Sequence, residues 1–238
     1  VGSSILREAL DRGYHVNGTL RDIERQDRIT RLKSLPSGNN AKFFSADMAD
    51  ISSLDNPLIN SDAAIICCLI PTYKGFDGTP AKELDDERGY NEIIKPTVDG
   101  CLNILKSAKI NNVKNILICS STSSTNPIPQ VLIKNELDHW SDEKEQCNSK
   151  KYTSAAKTYM ERAAFKFCNE NNLRLSVFLP TGLYGPAILP EHLKHNPFLW
   201  IKSVLEGGPP RHQKVPNDSA SLIHLQDLAK LFMAAYEN

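Results

Sequence analysis

What this 238-residue sequence lacks narrows its function before any motif is read. It has no excess of either charge: 28 basic side chains stand against 28 acidic ones. No long-range field is therefore available to hold a polyanion, and neither nucleic acid nor a charged membrane surface is expected as a partner. No run of about 18 uncharged apolar residues occurs, and the first residues lack the basic and apolar regions of a signal peptide, which disfavours both a membrane span and secretion. The default compartment is the cytosol. CxxC pairs are missing as well. The six cysteines, at 67, 68, 101, 119, 147 and 168, lie mostly in apolar runs such as IICCLI and ILICSS, and they read as buried reduced thiols rather than a zinc knuckle or a thioredoxin-like site. His192 and His195 in EHLKH form the one metal-like spacing. With no cysteine or further histidine close in sequence, they read as an exposed polar turn and no metal is expected. Adjacent Cys67 and Cys68 are expected on opposite faces of a strand. With 40% hydrophobic residues, what remains is one ordinary soluble domain, or slightly less than a whole protein, whose partners are small molecules.

The patterning alternates helix and strand. Apolar residues recur at helical spacing over 3–12, Gly13 stops the helix, and YHVNGTL reads as a strand. A charged helix at 23–34, the strand KFFSA, a short helix near 51–57 and the nearly all-apolar strand DAAIICCLI follow. A run of that last kind is what a central parallel strand, covered on both faces, requires. A helix over 85–109, the strand NILICSS, a loop of roughly 25 residues, a helix over 153–171 and the strand LRLSVFLP complete the series. Repeated βα units predict an α/β fold, a doubly wound parallel sheet with helices on both faces.

In such a sheet the chemistry collects at the carboxyl ends of the strands. Val1-Gly2, directly before a helix, looks like the tail of a glycine-rich dinucleotide loop. In GTLRD, Leu20 and Arg21 stand where an acid would hold the ribose 2′-OH of NAD; an arginine accommodates the 2′-phosphate of NADP, or else is a solvated residue opening a helix. Asp47 of SADMAD is placed to accept from an adenine amino group, with Met48 on the ring, or to cap the helix before ISSLD.

The fourth strand end, ILICSSTSSTN, together with the downstream KKYTSAAKTYMERAAF, carries a specific resemblance. With VGSSILREALDRGYHVNGTLRD, ADMAD, NEIIKPTVDGCLNILKSA, DHWSDEKE, LPTGLYGP and SLIHLQDLA, these segments stand in the order and approximate spacing of the extended short-chain dehydrogenase/reductases, the NAD-dependent epimerase/dehydratase superfamily. Within it the chain resembles the dihydroflavonol reductase and cinnamoyl-CoA reductase-like group. The resemblance implies a Rossmann-like fold and an oxidoreductase acting between CH-OH and carbonyl with NAD(P). A lysine holds the nicotinamide ribose and lowers the pKa of a tyrosine that protonates a carbonyl oxygen, while a serine orients that carbonyl. By position, Lys157 is the lysine, Ser121 the serine, and Pro180 and Thr181 border the nicotinamide amide. Leu69 and Ile70 stand at the cofactor wall in place of the usual small residues and threonine, and Thr97 backs the site or only packs. Phe198, Leu199 and Trp200 read equally as an apolar pocket or a core anchor.

The sequence departs from the pattern at the tyrosine. The family spacing is Tyr-x-x-x-Lys, which returns both side chains to one helix face. Four before Lys157 stands Thr153, whose hydroxyl is too weak an acid to substitute, and Tyr152 lies five before, about 140° around a regular helix. Either a late helix start or a one-residue bulge swings Tyr152 into place, the preferred expectation, or the protein binds dinucleotide without the usual donor.

The expected division is a dinucleotide-binding domain over 1–180, its first strand absent, and a truncated substrate-side segment over 181–238 with a returning strand and helix. The leading function is an NADPH-dependent reductase of a small apolar ketone or aldehyde, as monomer or homodimer. The alternatives are a catalytically impaired dinucleotide-binding protein and an NAD-dependent sugar-nucleotide epimerase or dehydratase.

Overall fold

The computed structural model describes residues 1–67, 73–194, 198–208 and 221–238. The chain opens with α1 (Gly2–Asp11), β1 (Val16–Leu20), α2 (Gln26–Lys33), β2 (Ala41–Ser45), α3 (Asp55–Leu58) and β3 (Ala63–Ile66). It continues through α4 (Asp86–Gly89), α5 (Lys95–Ile110), β4 (Asn115–Cys119), α6 (Glu143–Asn148) and α7 (Tyr152–Glu170). The series ends with β5 (Arg174–Phe178), β6 (Gly182–Tyr184), α8 (Phe198–Leu205), β7 (Leu222–His224) and α9 (Leu225–Glu237). The helix expected over 85–109 is present as α4 and α5 joined by a π-turn, Tyr90–Ile94, with Pro96, which offers no N–H to the helical ladder, just after it. Gly13, at φ +84°, provides the left-handed residue on which the chain leaves α1.

Two compact units divide the chain. The larger comprises Asn17–Asp22 and Phe43–Leu179. Its parallel sheet has the order β3-β4-β5, with Ile66 opposite Ile118 and Ile118 opposite Val177. Strand β4 is buried over Ile116–Cys119, as an all-apolar run predicts. Its core joins Ile66, Ile116 and Ile118 to Leu105 of α5 and Met160 and Ala164 of α7. Strands β1 and β2 form a separate pair, and the amide of Ala46 donates to Leu20 O at 3.0 Å.

The second unit comprises Val1–Val16, Ile23–Lys42 and Pro180–Asn238. Here α1 buries Ile5, Leu6, Ala9 and Leu10, and α9 buries Leu228, Ala229, Phe232 and Met233, each on one helical stripe. Arg12 pairs with Glu237 at 2.6 Å, and the rings of Tyr14 and Tyr236 meet edge to face. Strands β6 and β7 run parallel, with Leu183 opposite Ile223.

Among the described residues Cys67, Cys101, Cys119, Cys147 and Cys168 form no disulfide, and no helix is long and apolar enough to cross a membrane. Cys68 lies outside the described residues, so its orientation relative to Cys67 does too.

Candidate active site

Ser121, in the larger unit, lies where β4 ends. Strand hydrogen bonding carries through Ser120, whose amide donates to Phe178 O at 2.8 Å, and the chain then turns tightly over Thr122–Ser124. Ser121 caps this turn, its Oγ accepting from the Ser123 amide at 3.2 Å. The turn is fixed from several sides. Ser124 Oγ donates to Ser121 O at 2.9 Å, Ser141 Oγ donates to Ser123 O at 2.7 Å, and Gln146 Nε2 donates to the same carbonyl at 2.9 Å. Thr158 of α7 donates to Gln146 Oε1 at 2.9 Å, so the helix braces the side chain that braces the turn. Ser121 itself stays partly exposed.

Helix α7 supplies the second component. Lys157 is buried, and one helical turn later Glu161 is 2% exposed. Ser120 Oγ donates to Glu161 Oε1, and the Ser124 hydroxyl lies close to the same carboxyl. Burial pushes the Glu161 carboxyl above its ordinary range, against the opposing pull of both serines and of the Lys157 charge. The thiol of Cys119, at the end of β4, is also pushed up by burial, with Lys157 again opposing.

Tyr152 is placed differently. It is the first residue of α7, and the amides of Ser154 and Ala155 both donate to Lys151 O at 2.9 Å, so the first turn closes regularly with no inserted residue. Its ring is 1% exposed among Leu84, Ile93, Ile94 and Ala155, and its hydroxyl donates to Asp86 Oδ1 at 2.7 Å. Gly89 makes the seat: a Cβ there would stand 2.5 Å from the ring. Burial and then the Asp86 hydrogen bond push the phenol well above its ordinary value, opposite to the shift a proton donor requires. Thr153, half-buried, holds the position one helical turn before Lys157.

The expected cofactor residues are distributed along the strand ends. Arg21 is exposed just after β1, and its carbonyl accepts from Ser45 Oγ at 3.3 Å, which sets it beside the end of β2. Asp47 is exposed and its Oδ1 accepts from the Ala49 amide at 2.9 Å; the cap of the following turn is Asp50, through Ser52 N. Met48 lies against Gly100 of α5, where any Cβ would collide with the thioether, and Asn103 Nδ2 donates to Met48 O at 3.0 Å. Thr97 is buried and donates to Ile93 O at 2.9 Å, a packing role. In the other unit, Gly2 is the first residue of α1, and Pro180 and Thr181 follow β5, partly buried. That unit also has a cavity of about 180 Å³, lined by Ser4, Arg7, Asp11, Ile188, Leu225 and Lys230, which holds none of the expected residues. Leu199 of α8 is exposed. Leu69, Ile70 and His195 lie outside the described residues, while His192 Nδ1 accepts from the Leu189 amide at 3.4 Å.

The sequence reading missed Asp86, Ser120, Ser141, Gln146 and Glu161. Only Glu161 left a signal, being four residues past Lys157 and so on the same helix face. Ser120 directly precedes Ser121, and the others reach their places through tertiary contacts that no local spacing encodes.

The sequence pattern of the NAD dependent epimerase/dehydratase family matches residues 1–238. The chain is 30% identical over 244 residues to the dihydroflavonol 4-reductase of Callistephus chinensis, covering 100% of this chain and 63% of that protein. It is 30% identical over 197 residues to the bifunctional dihydroflavonol 4-reductase/flavanone 4-reductase of Malus domestica, covering 80% and 53%. Its fold is similar to that of yeast methylglyoxal/isovaleraldehyde reductase Gre2 complexed with NADPH, with a TM-score of 0.73 at 20% identity, covering 99% and 70%. The chain thus spans 53 to 63% of the length of these two curated relatives.

Proposed function

Because this chain belongs to the NAD dependent epimerase/dehydratase family, we propose that it serves an NADP(H)-dependent reductase of a small apolar ketone or aldehyde. The observation that carries the proposal is the buried Lys157 on a helix that also fixes the Ser121 turn. Two charged or hydroxylic groups held this firmly at the carboxyl end of a central strand suit the orientation of a carbonyl.

The residues present fit a dinucleotide at separate points. Gly100 leaves the room that Met48 fills at the adenine end, and Asp47 is exposed for an exocyclic amine. The exposed Arg21 suits a 2′-phosphate and speaks against the NAD-dependent epimerase alternative. Gly2 opens a helix whose first amides suit a pyrophosphate. Pro180 and Thr181 are assigned to the nicotinamide end. The cofactor, when bound, supplies hydride. Lys157 then holds a ribose hydroxyl, and Ser121 orients the carbonyl oxygen. For Tyr152 to act as the proton donor it must first release Asp86. That bond favours the second reading, a dinucleotide-binding protein without turnover.

The deciding experiment compares NADPH and NADH binding by the wild type and by Arg21→Ala, followed by turnover with a panel of carbonyls. The reductase reading expects NADPH preference, an Arg21→Ala loss of about ten- to a hundredfold in NADPH affinity alone, and turnover of at least one carbonyl. Tight NADPH binding with no turnover across the panel establishes the second reading, and absence of dinucleotide binding overturns both.

A further inference from the structure

The mechanism above makes no use of the most deeply buried carboxyl at the site. Glu161 is 2% exposed in the middle of α7, and such a carboxyl carries a desolvation cost that an apolar side chain would avoid. Its hydroxyl partner Ser120 directly precedes Ser121 on the chain, and Ser124, whose Oγ donates to Ser121 O at 2.9 Å, lies close to the same carboxyl. On its own helix it faces Lys157. Glu161 is thus the junction between the element that carries Ser121 and the element that carries Lys157.

Resting on the reductase reading, we propose that Glu161 is a positioning residue whose carboxyl ties the Ser121 turn to α7 and fixes the spacing between Ser121 and the Lys157 ammonium. The other charged groups on elements packed against α7 are engaged elsewhere or exposed. Glu143 of α6 pairs with Arg162, Asp86 of α4 accepts from Tyr152, and Glu92 of the π-turn pairs with Arg88. Lys95 pairs with Asp99 on α5, Lys109 donates to Asn171, and Lys82, Glu83, Lys106 and Arg174 are exposed. Lys157 is the cation that acts on the carboxyl, and Cys119 of β4 is the titratable group that faces Lys157.

Two measurements on the intact chain test this. In the first, the Glu161 carboxyl carbon is followed by NMR against pH without cofactor, in the wild type, Lys157→Met and Ser120→Ala. Losing the cation or the hydroxyl donor should move the midpoint upward in both variants. In the second, NADPH affinity and melting temperature at pH 8 are recorded for Glu161→Gln, which keeps the shape and one acceptor oxygen but neither the charge nor the second acceptor. Affinity should fall about tenfold while the variant melts no lower than the wild type, a split that loss of packing would not produce. Equal midpoints in all three proteins, or an unchanged NADPH affinity in Glu161→Gln, overturn the role given to Glu161. A wild type that binds no NADPH overturns the reductase reading itself, and the carboxyl midpoints still decide whether the junction exists.

Discussion

The first turn of α7 and the middle of the same helix hold their polar groups in opposite ways. Tyr152 sits against a carboxylate, and its acidity is suppressed; Glu161 sits near a cation and two hydroxyls, which oppose the suppression that burial imposes. The same helix therefore carries a phenol used as a peg and a carboxyl used as a junction. The difference teaches that a residue type one position out of register can keep its burial and lose its chemistry. Tyr152 fills a seat formed by Gly89, Leu84 and Asp86, and none of these lies on the turn that bears Ser121.

The contrast can be broken most severely by removing the peg. Tyr152→Ala leaves a cavity in a fully buried cluster and should cost about 3 to 5 kcal/mol, read as a lowered midpoint in denaturant unfolding. Lys157→Met removes the cation beside Glu161 and should cost about 2 to 3 kcal/mol, less than the tyrosine because the raised carboxyl can take up a proton. Gly89→Ala drives a methyl group into the Tyr152 ring and should cost about 1 to 3 kcal/mol, with the tyrosine fluorescence and near-ultraviolet dichroism of the cluster altered. Tyr152→Phe keeps the ring and should cost only about 1 kcal/mol, because Asp86 is exposed and water replaces the lost hydroxyl. Its turnover, measured on any carbonyl the wild type reduces, should change by less than about tenfold; a loss of about a hundredfold or more would restore Tyr152 as the donor.

The comparison is sharpened by pH. The Glu161 carboxyl titrates above its unfolded value of 4.5, so the folded state binds the proton more tightly. Its contribution to stability is complete below that value and is lost as pH rises through the folded midpoint. Unfolding measured from pH 4 to pH 8 should show the wild type losing ground steadily to Glu161→Gln, and parallel curves would remove burial as the cause of the shift.

Much of this was legible in the sequence. The buried β4 run, the helix stripes of α1 and α7 and the strand-end positions of Ser121, Arg21 and Asp47 follow from periodicity, because burial on one or two faces writes itself locally. The regular start of α7 at Tyr152 has no such signature. Periodicity puts the tyrosine about 140° from Lys157, but only tertiary structure reveals the carboxylate and the glycine that receive it. The braces on the Ser121 turn were equally hidden, since Ser141, Gln146 and Thr158 converge from an irregular loop and two helices.

The division of the larger unit's strands into β1-β2 and β3-β4-β5 has a dynamic consequence. Among the described residues no ladder bond joins the two sets; Asn17 Nδ2 of β1 donates to Pro57 O at 2.9 Å, and Asn103 of α5 holds Met48 just past β2. Cooperativity that passes through so few amide groups is weak, and the strand sets become separate opening units. In native-state hydrogen exchange the amides of Ile116–Cys119 should then protect to the level of global unfolding, while those of β1 exchange through a cheaper, local event that leaves the β4 end and its serine turn closed.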